Sequence, residues 1–207
     1  MNSEWKDNAD FATWLVKEMK PKTIVDIGTY EGYSAKTFAD ILENGVNVIT
    51  VDPARQFDGE LPANVIYLEH TSKEAYHDWD RSNKIDILHI DGDHAYETVK
   101  EDLINWGSLL NPDGIILMHD VANVSVAGFG PVKIFLGNTI PYKACYFKGY
   151  GLGVLTFNKE LMEKILSSEF GKDFITGPML SQYWTEKLIE VIEKALAENP
   201  MLTMEKR

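Results

Sequence analysis

A chain of 207 residues with 44% hydrophobic and 25% charged side chains is long enough for one well-buried α/β domain, and its composition excludes a disordered or fibrous class. A formal net charge of -12 argues against a phosphate backbone as partner, because nucleic-acid affinity is built from clustered Lys and Arg. The lone cysteine, Cys145, excludes an internal disulfide and a zinc site made of several thiolates.

The first ten residues lack a cationic start followed by an apolar core, and no stretch reaches about 18 uninterrupted apolar residues. Neither secretion nor membrane insertion is signalled, and a reducing cytoplasm is the expected compartment. No internal repeat or Gly/Ser linker interrupts the chain, so one domain is expected over 1–207: an N-terminal helix in 1–20, a core over 21–157 and C-terminal helices in 158–207.

In chain order, residues 4–19 carry Trp5, Phe11, Trp14, Leu15 and Met19 and predict a helix packed on the sheet or on a partner. Apolar β-branched runs predict strands at 23–27, 47–51, 65–68, 85–90 and 114–118. Helical spacing predicts helices at 31–42, stopped by Asn44-Gly45, and at 96–110, where Val99, Leu103, Trp106 and Leu110 share a face. Thr71-Ser-Lys-Glu74 reads as a capping box opening a short helix to about Trp79.

After Asp120 the periodicity fades, and residues 121–130 read as a lid or substrate loop. A helix start at Pro131 follows, then two strands, 142–147 and 152–157, around Lys148-Gly-Tyr-Gly151. A last helix is predicted over 183–196. Alternating strands and helices predict an α/β fold, a Rossmann-like three-layer sandwich whose mostly parallel sheet ends in an antiparallel hairpin.

Asp26-Ile-Gly28-Thr29-Tyr30-Glu31-Gly32-Tyr-Ser34 reads as a strand end, a tight glycine turn and a helix start, suited to a nucleoside cofactor. Tyr30 stands where a dinucleotide fingerprint has its middle glycine, and Glu31 repels a pyrophosphate. An aminoacyl or cationic ligand is more welcome, with Asp26 to complement it. Asp52, ending the second strand, is placed to accept both ribose hydroxyls or to turn the chain before Pro53; Ser72 reaches an adenine or caps its helix.

Two further strand ends deliver carboxylates and imidazoles: Asp91-Gly-Asp93-His94 and His119-Asp120. Side by side they make a metal and proton-transfer site, in which Asp93 orients His94, binds metal or closes the turn. His89, inside an apolar strand, reads as a satisfied core histidine, and Cys145 as core.

Together Val25-Asp-Ile-Gly-Thr-Tyr-Glu-Gly-Tyr-Ser34, Val51-Asp-Pro53, Asp91-Gly-Asp-His94 and Leu117-Met-His-Asp120 resemble class I S-adenosylmethionine-dependent methyltransferases, especially the metal-dependent O-methyltransferases of macrolide sugars and aminocoumarins. The likeness spans roughly residues 20–157. It implies a seven-stranded sheet, S-adenosylmethionine held by Asp26, Gly28, Gly32 and Asp52, with Thr29, Ser34 and Ser72 expected beside them in the cofactor site, and a divalent metal, Mg2+ or Mn2+, on Asp91 and Asp120. It also implies His94 as general base and a small hydroxylated acceptor, a sugar or vicinal diol.

The chain departs from that pattern at His119, where related enzymes commonly carry an acid. As a ligand it favours manganese, iron or zinc; otherwise it stands behind the ligands or touches substrate. His119 and Asp120 face the same metal only if the strand has already ended. Two other readings stay open: a nicotinamide-dependent oxidoreductase, and a non-catalytic nucleoside-binding or assembly module with Trp5, Trp14 and Trp184 at a homo-oligomer interface.

Overall fold

In the computed structural model, which describes residues 5–41, 47–123 and 129–198, the Val/Ile-rich runs form the strands of one sheet. Four of them, β1 (Thr23–Ile27), β2 (Asn47–Val51), β4 (Ile85–Ile90) and β5 (Leu110–Met118), are buried over their C-terminal halves, as expected of a parallel sheet covered on both faces. With β3 (Val65–Leu68) at the edge and the antiparallel pair β6 (Tyr142–Tyr146) and β7 (Leu152–Thr156) inserted in reverse, the order runs β3-β2-β1-β4-β5-β7-β6. A short eighth strand, β8 (Phe174–Thr176), follows β6 in the order and adds one strand to the seven expected.

Register fixes what matters for function. Ile27 pairs with Val51 and with Ile90, Val51 with Leu68, and Ile90 with Met118. The C-terminal ends of five parallel strands therefore share one rim, where open α/β sheets hold their ligands.

Helix α1 (Lys6–Met19) buries Asn8, Phe11, Ala12, Leu15 and Val16, one stripe at helical spacing, and packs against α2 (Tyr33–Ile41). Phe11, Leu15, Phe38 and Ile24 lie in the same core as Ile87, Ile115 and Val154. Helix α3 (Ser72–Asp78) opens on the expected capping box: Thr71 accepts from Glu74 N while the Glu74 carboxylate accepts from Thr71 N at 2.9 Å. Helix α4 (Tyr96–Gly107) is shorter than its periodicity predicts, because Leu110–Asp113 are drawn into β5. Helix α5 (Gly130–Gly137) and helix α6 (Lys159–Ser167) complete this part of the chain.

The described residues divide after Phe174 into two compact units; the second is built on α7 (Gly177–Glu198). The predicted stop at Asn44-Gly45 and residues 124–128 of the loop expected over 121–130 lie outside the described residues. No helix among the described residues is long and apolar enough to cross a membrane.

Candidate active site

A cavity of about 860 Å³ opens at the strand rim, walled by the turn after β1, the ends of β2, β4 and β5, and the faces of α3 and α4. Its floor is a glycine turn. Gly28 has φ +97°, and a Cβ there would lie 2.0 Å from the Asp91 carbonyl oxygen, so only glycine lets the β1 turn pass beneath the β4 end. Its N–H donates to Val51 O at 2.8 Å, tying the turn to β2.

Asp52 is held at the wall by two backbone donors, Tyr30 N to Oδ2 and Ala54 N to Oδ1, both 2.9 Å. Each oxygen keeps lone-pair capacity for a further donor. Ser72, also on the wall, is the first helical residue of α3; Thr71 does the capping, and Ser72 Oγ donates to the Asp102 carboxylate while accepting from Trp106 Nε1 at 2.8 Å.

The remaining residues of the glycine turn stand behind the wall. Asp26 is fully buried and accepts from His89 Nδ1 at 2.7 Å, Ser34 Oγ at 2.9 Å and Thr50 Oγ1 at 2.8 Å. Thr29 Oγ1 lies 2.6 Å from Thr50 Oγ1. Gly32, at φ +76°, faces Leu61. Asp26, Thr29, Gly32 and Ser34 thus shape the turn without lining the cavity. His89 is the buried partner of Asp26, and Cys145 is buried in β6, its thiol pushed up to about 12 by burial.

Across the cavity, Asp91, His94, His119 and Asp120 converge. His94 Nε2 is 2.9 Å from Asp120 Oδ2 and 3.8 Å from Asp91 Oδ1; His119 Nδ1 is 3.3 Å and 3.4 Å from the same two atoms. β5 ends at Met118, and Asp120 takes φ +60°, so the alternation of an extended strand no longer separates His119 from Asp120. Asn123 Nδ2 donates to Asp120 Oδ1 at 2.9 Å. Asp93 turns away to accept from Ala95 N and Thr98 Oγ1, closing the turn into α4. The loop bearing His94 is backed by Gly130 of α5, where a Cβ would lie 2.1 Å from His94 O.

Opposite charges tune these groups. Burial alone would raise the Asp91 carboxyl, but the neighbouring His119 and His94 imidazoles bring it down to about 2. Burial would raise Asp120 too, but the adjacent His119 and His94 and the hydrogen bond from Asn123 hold it well below the usual carboxylate range. The neighbouring Asp120 and Asp91 carboxylates lift His94 to about 10; in His119 the same carboxylates overcome a stronger burial penalty and also lift it to about 10. One ligand atom from each of Asp91, His94 and Asp120 lies within 4.8 Å of the others, a spacing and donor set that fit a hard divalent cation.

The sequence reading did not single out Trp5, Gln56 and Asp102 of the wall as site residues. For Asp102 the signal was present: it sits three residues after Val99 on the apolar face of α4, where a carboxylate is out of place. Trp5 carried no such signal, since an aromatic at a helix start is ordinary core.

Residues 25–121 match the family model described as a methyltransferase domain. A relative in Sinorhizobium fredii, the uncharacterized protein y4gI, is 31% identical over 189 residues, covering 78% of this chain and 20% of its own. The chain therefore spans about a fifth of the length of that curated relative. Among solved structures, the Podospora anserina methyltransferase PaMTH1 with bound SAH superposes with a TM-score of 0.57 at 16% identity, over 75% of this chain and 79% of that one. The O-methyltransferase TomG of Streptomyces achromogenes, involved in tomaymycin synthesis and in complex with SAM, gives 0.55 at 14% identity, over 72% and 79%. A methyltransferase from Geobacter sulfurreducens gives 0.57 at 15%, over 72% and 77%.

Proposed function

We propose that this chain, whose residues 25–121 match the family described as a methyltransferase domain, is a class I methyltransferase that transfers a methyl group from S-adenosylmethionine to a hydroxyl of a small molecule, with a divalent metal at Asp91 and Asp120. One observation carries the reading: Glu31, Asp52, Asp91, Asp93, Asp102 and Asp120 line the cavity, and no Lys or Arg does among the described residues. Such a wall repels the pyrophosphate of a dinucleotide and suits a sulfonium, an ammonium group and a metal cation. SAH and SAM are the bound ligands of two similar structures.

Asp52 accepts the ribose hydroxyls, and the Gly28 turn lets the aminoacyl arm approach the backbone. Bound S-adenosylmethionine supplies an electrophilic methyl on sulfur, and a bound divalent cation lowers the pKa of a coordinated hydroxyl. With Asp91 and Asp120 as the residues that would hold the cation, His94 would take the acceptor's hydroxyl proton on Nε2, and the Asp120 carboxylate 2.9 Å away would stabilise the imidazolium. The remaining contribution is alignment of oxygen, methyl and sulfur in line. A sugar or other vicinal diol is the acceptor class, since its paired oxygens would suit a divalent cation that prefers oxygen ligands.

The test is incubation with methyl-labelled S-adenosylmethionine and a panel of sugars, catechols and polyols, with and without chelator. Label in a hydroxylated product, lost with chelator and restored by Mg2+, is expected. Transfer that ignores chelator removes the metal from the account, and no transfer to any hydroxyl removes the acceptor class.

A further inference from the structure

Every hydroxyl that α3 and α4 present to the cavity has already committed its proton to a carboxylate. Thr71, the cap of α3, Ser72, its first residue, and Thr98 and Asp102 of α4 line this end of the cavity. Thr98 and Asp102 stand four residues apart and so share a face of their helix. Thr71 Oγ1 donates to the Glu74 carboxylate at 2.7 Å, Thr98 Oγ1 to Asp93 at 2.9 Å, and Ser72 Oγ to Asp102 Oδ1. Ser72 also accepts from Trp106 Nε1, a group that can only donate, so the relay runs from Trp106 through Ser72 to Asp102. What these side chains keep is lone pairs.

Asp102 is the end of that relay. It is only 4% exposed, and its Oδ2 takes no hydrogen bond among the described residues. A buried carboxylate short of donors is costly. Burial, with Glu101 and Asp93 nearby, lifts its carboxyl to about 6 against the bond from Ser72. An N–H arriving from the cavity would complete its shell.

Strand order says which part of a nucleoside arrives there. Val51 pairs with Leu68, and Asp52 N donates to Leu68 O at 3.2 Å, so the acid assigned to the ribose and the strand that feeds α3 end side by side. Asp91 and Asp120 follow β4 and β5, on the other side of β1. A ligand with its sulfonium toward Asp91 and its ribose on Asp52 carries its base toward α3 and α4.

We infer that Asp102 is a specificity-determining residue that selects a 6-aminopurine: its Oδ2 accepts an N–H of the exocyclic amine, at a wall whose side chains offer acceptors alone. This rests on the S-adenosylmethionine reading above. A 6-oxopurine would turn a carbonyl lone pair onto the same wall and leave Asp102 unpartnered, and unpaired buried polar groups are what make such discrimination steep.

Calorimetric titration at pH 8 with S-adenosylhomocysteine and with its 6-oxo analogue, S-inosylhomocysteine, tests the inference. The wild type should prefer the amino form by about tenfold or more. Asp102→Asn keeps an oxygen for the Ser72 hydroxyl and turns an amide N–H to the cavity in place of Oδ2, so the preference should shrink to within about threefold or reverse. If that variant does not fold, the wild type decides through 1H–15N spectra of S-adenosylhomocysteine labelled at the 6-amino nitrogen, where amino protons held against exchange are expected. Equal affinity of the wild type for both nucleosides, an undiminished preference in Asp102→Asn, or amino protons that exchange as in free solution overturns the inference. Failure of the wild type to bind either nucleoside overturns the cofactor reading, and the inference falls with it.

Discussion

His89 Nδ1 meets Asp26 Oδ1 at 2.7 Å with both side chains fully buried, so the acid that opens the glycine turn is spent on the sheet rather than on the cavity. Ser34 and Thr50 complete its shell. Asp26→Ala would strand three buried donors at once and should cost about 3 kcal/mol or more, read as a lowered midpoint in urea unfolding. A variant as stable as wild type would show that the network carries no stabilising weight.

Gly28→Ala should be more damaging than a glycine change elsewhere in the turn. It combines φ +97° with a Cβ placed 2.0 Å from the Asp91 carbonyl. Relief requires the ends of β1 and β4 to separate, so both stability, by more than about 2 kcal/mol, and cofactor affinity should fall together. Gly59, at φ +79° with nothing within 4 Å of an added Cβ, serves as the control for backbone strain alone.

Asp91 and His94 should separate in kinetics. Asp91→Ala is expected to abolish metal-dependent turnover while leaving S-adenosylhomocysteine affinity within about twofold, because its carboxylate gathers with His94 and His119 rather than with Asp52. His94→Ala should lower kcat by roughly 10²- to 10⁴-fold if it takes the hydroxyl proton. Equal losses of cofactor binding in both variants would place them in the nucleoside site instead.

How much of this was readable beforehand follows from what local pattern encodes. The rim residues Asp52, Asp91, His94, His119 and Asp120 lie at strand ends, and strand ends are visible as apolar runs that stop. Their convergence depends on the parallel register, which alternation of strands and helices already implies. Asp26 and Ser34 were assigned to the cofactor because a motif does not say which face of a strand meets its neighbour's side chain. His89 came from β4, 63 residues away, to bind Asp26. Trp5 depends on where α1 docks, a long-range packing outcome that periodicity does not specify.

Asp102 carries a pH signature. Burial raises its carboxyl from an ordinary value of 3.8 to about 6, against the hydrogen bond from Ser72. A raised folded-state pKa means the fold takes up a proton: the stability this contributes is fully present below about 4 and is lost as pH rises through about 6. Charging Asp102 in place should therefore cost on the order of 3 kcal/mol at pH 8. Asp102→Asn, which still accepts from Ser72, should melt close to wild type at pH 4 and progressively above it toward pH 8. A pH-independent difference would detach the effect from this carboxyl.

The most direct test of the account is calorimetric titration of the full chain with S-adenosylhomocysteine, beside Asp52→Ala and beside a nicotinamide dinucleotide. Saturable binding to the wild type is expected, weakened roughly tenfold or more in Asp52→Ala by the lost ribose hydrogen bonds, with no heat from the dinucleotide. No binding of S-adenosylhomocysteine, or binding of the dinucleotide in its place, would contradict a cavity built for a sulfonium nucleoside.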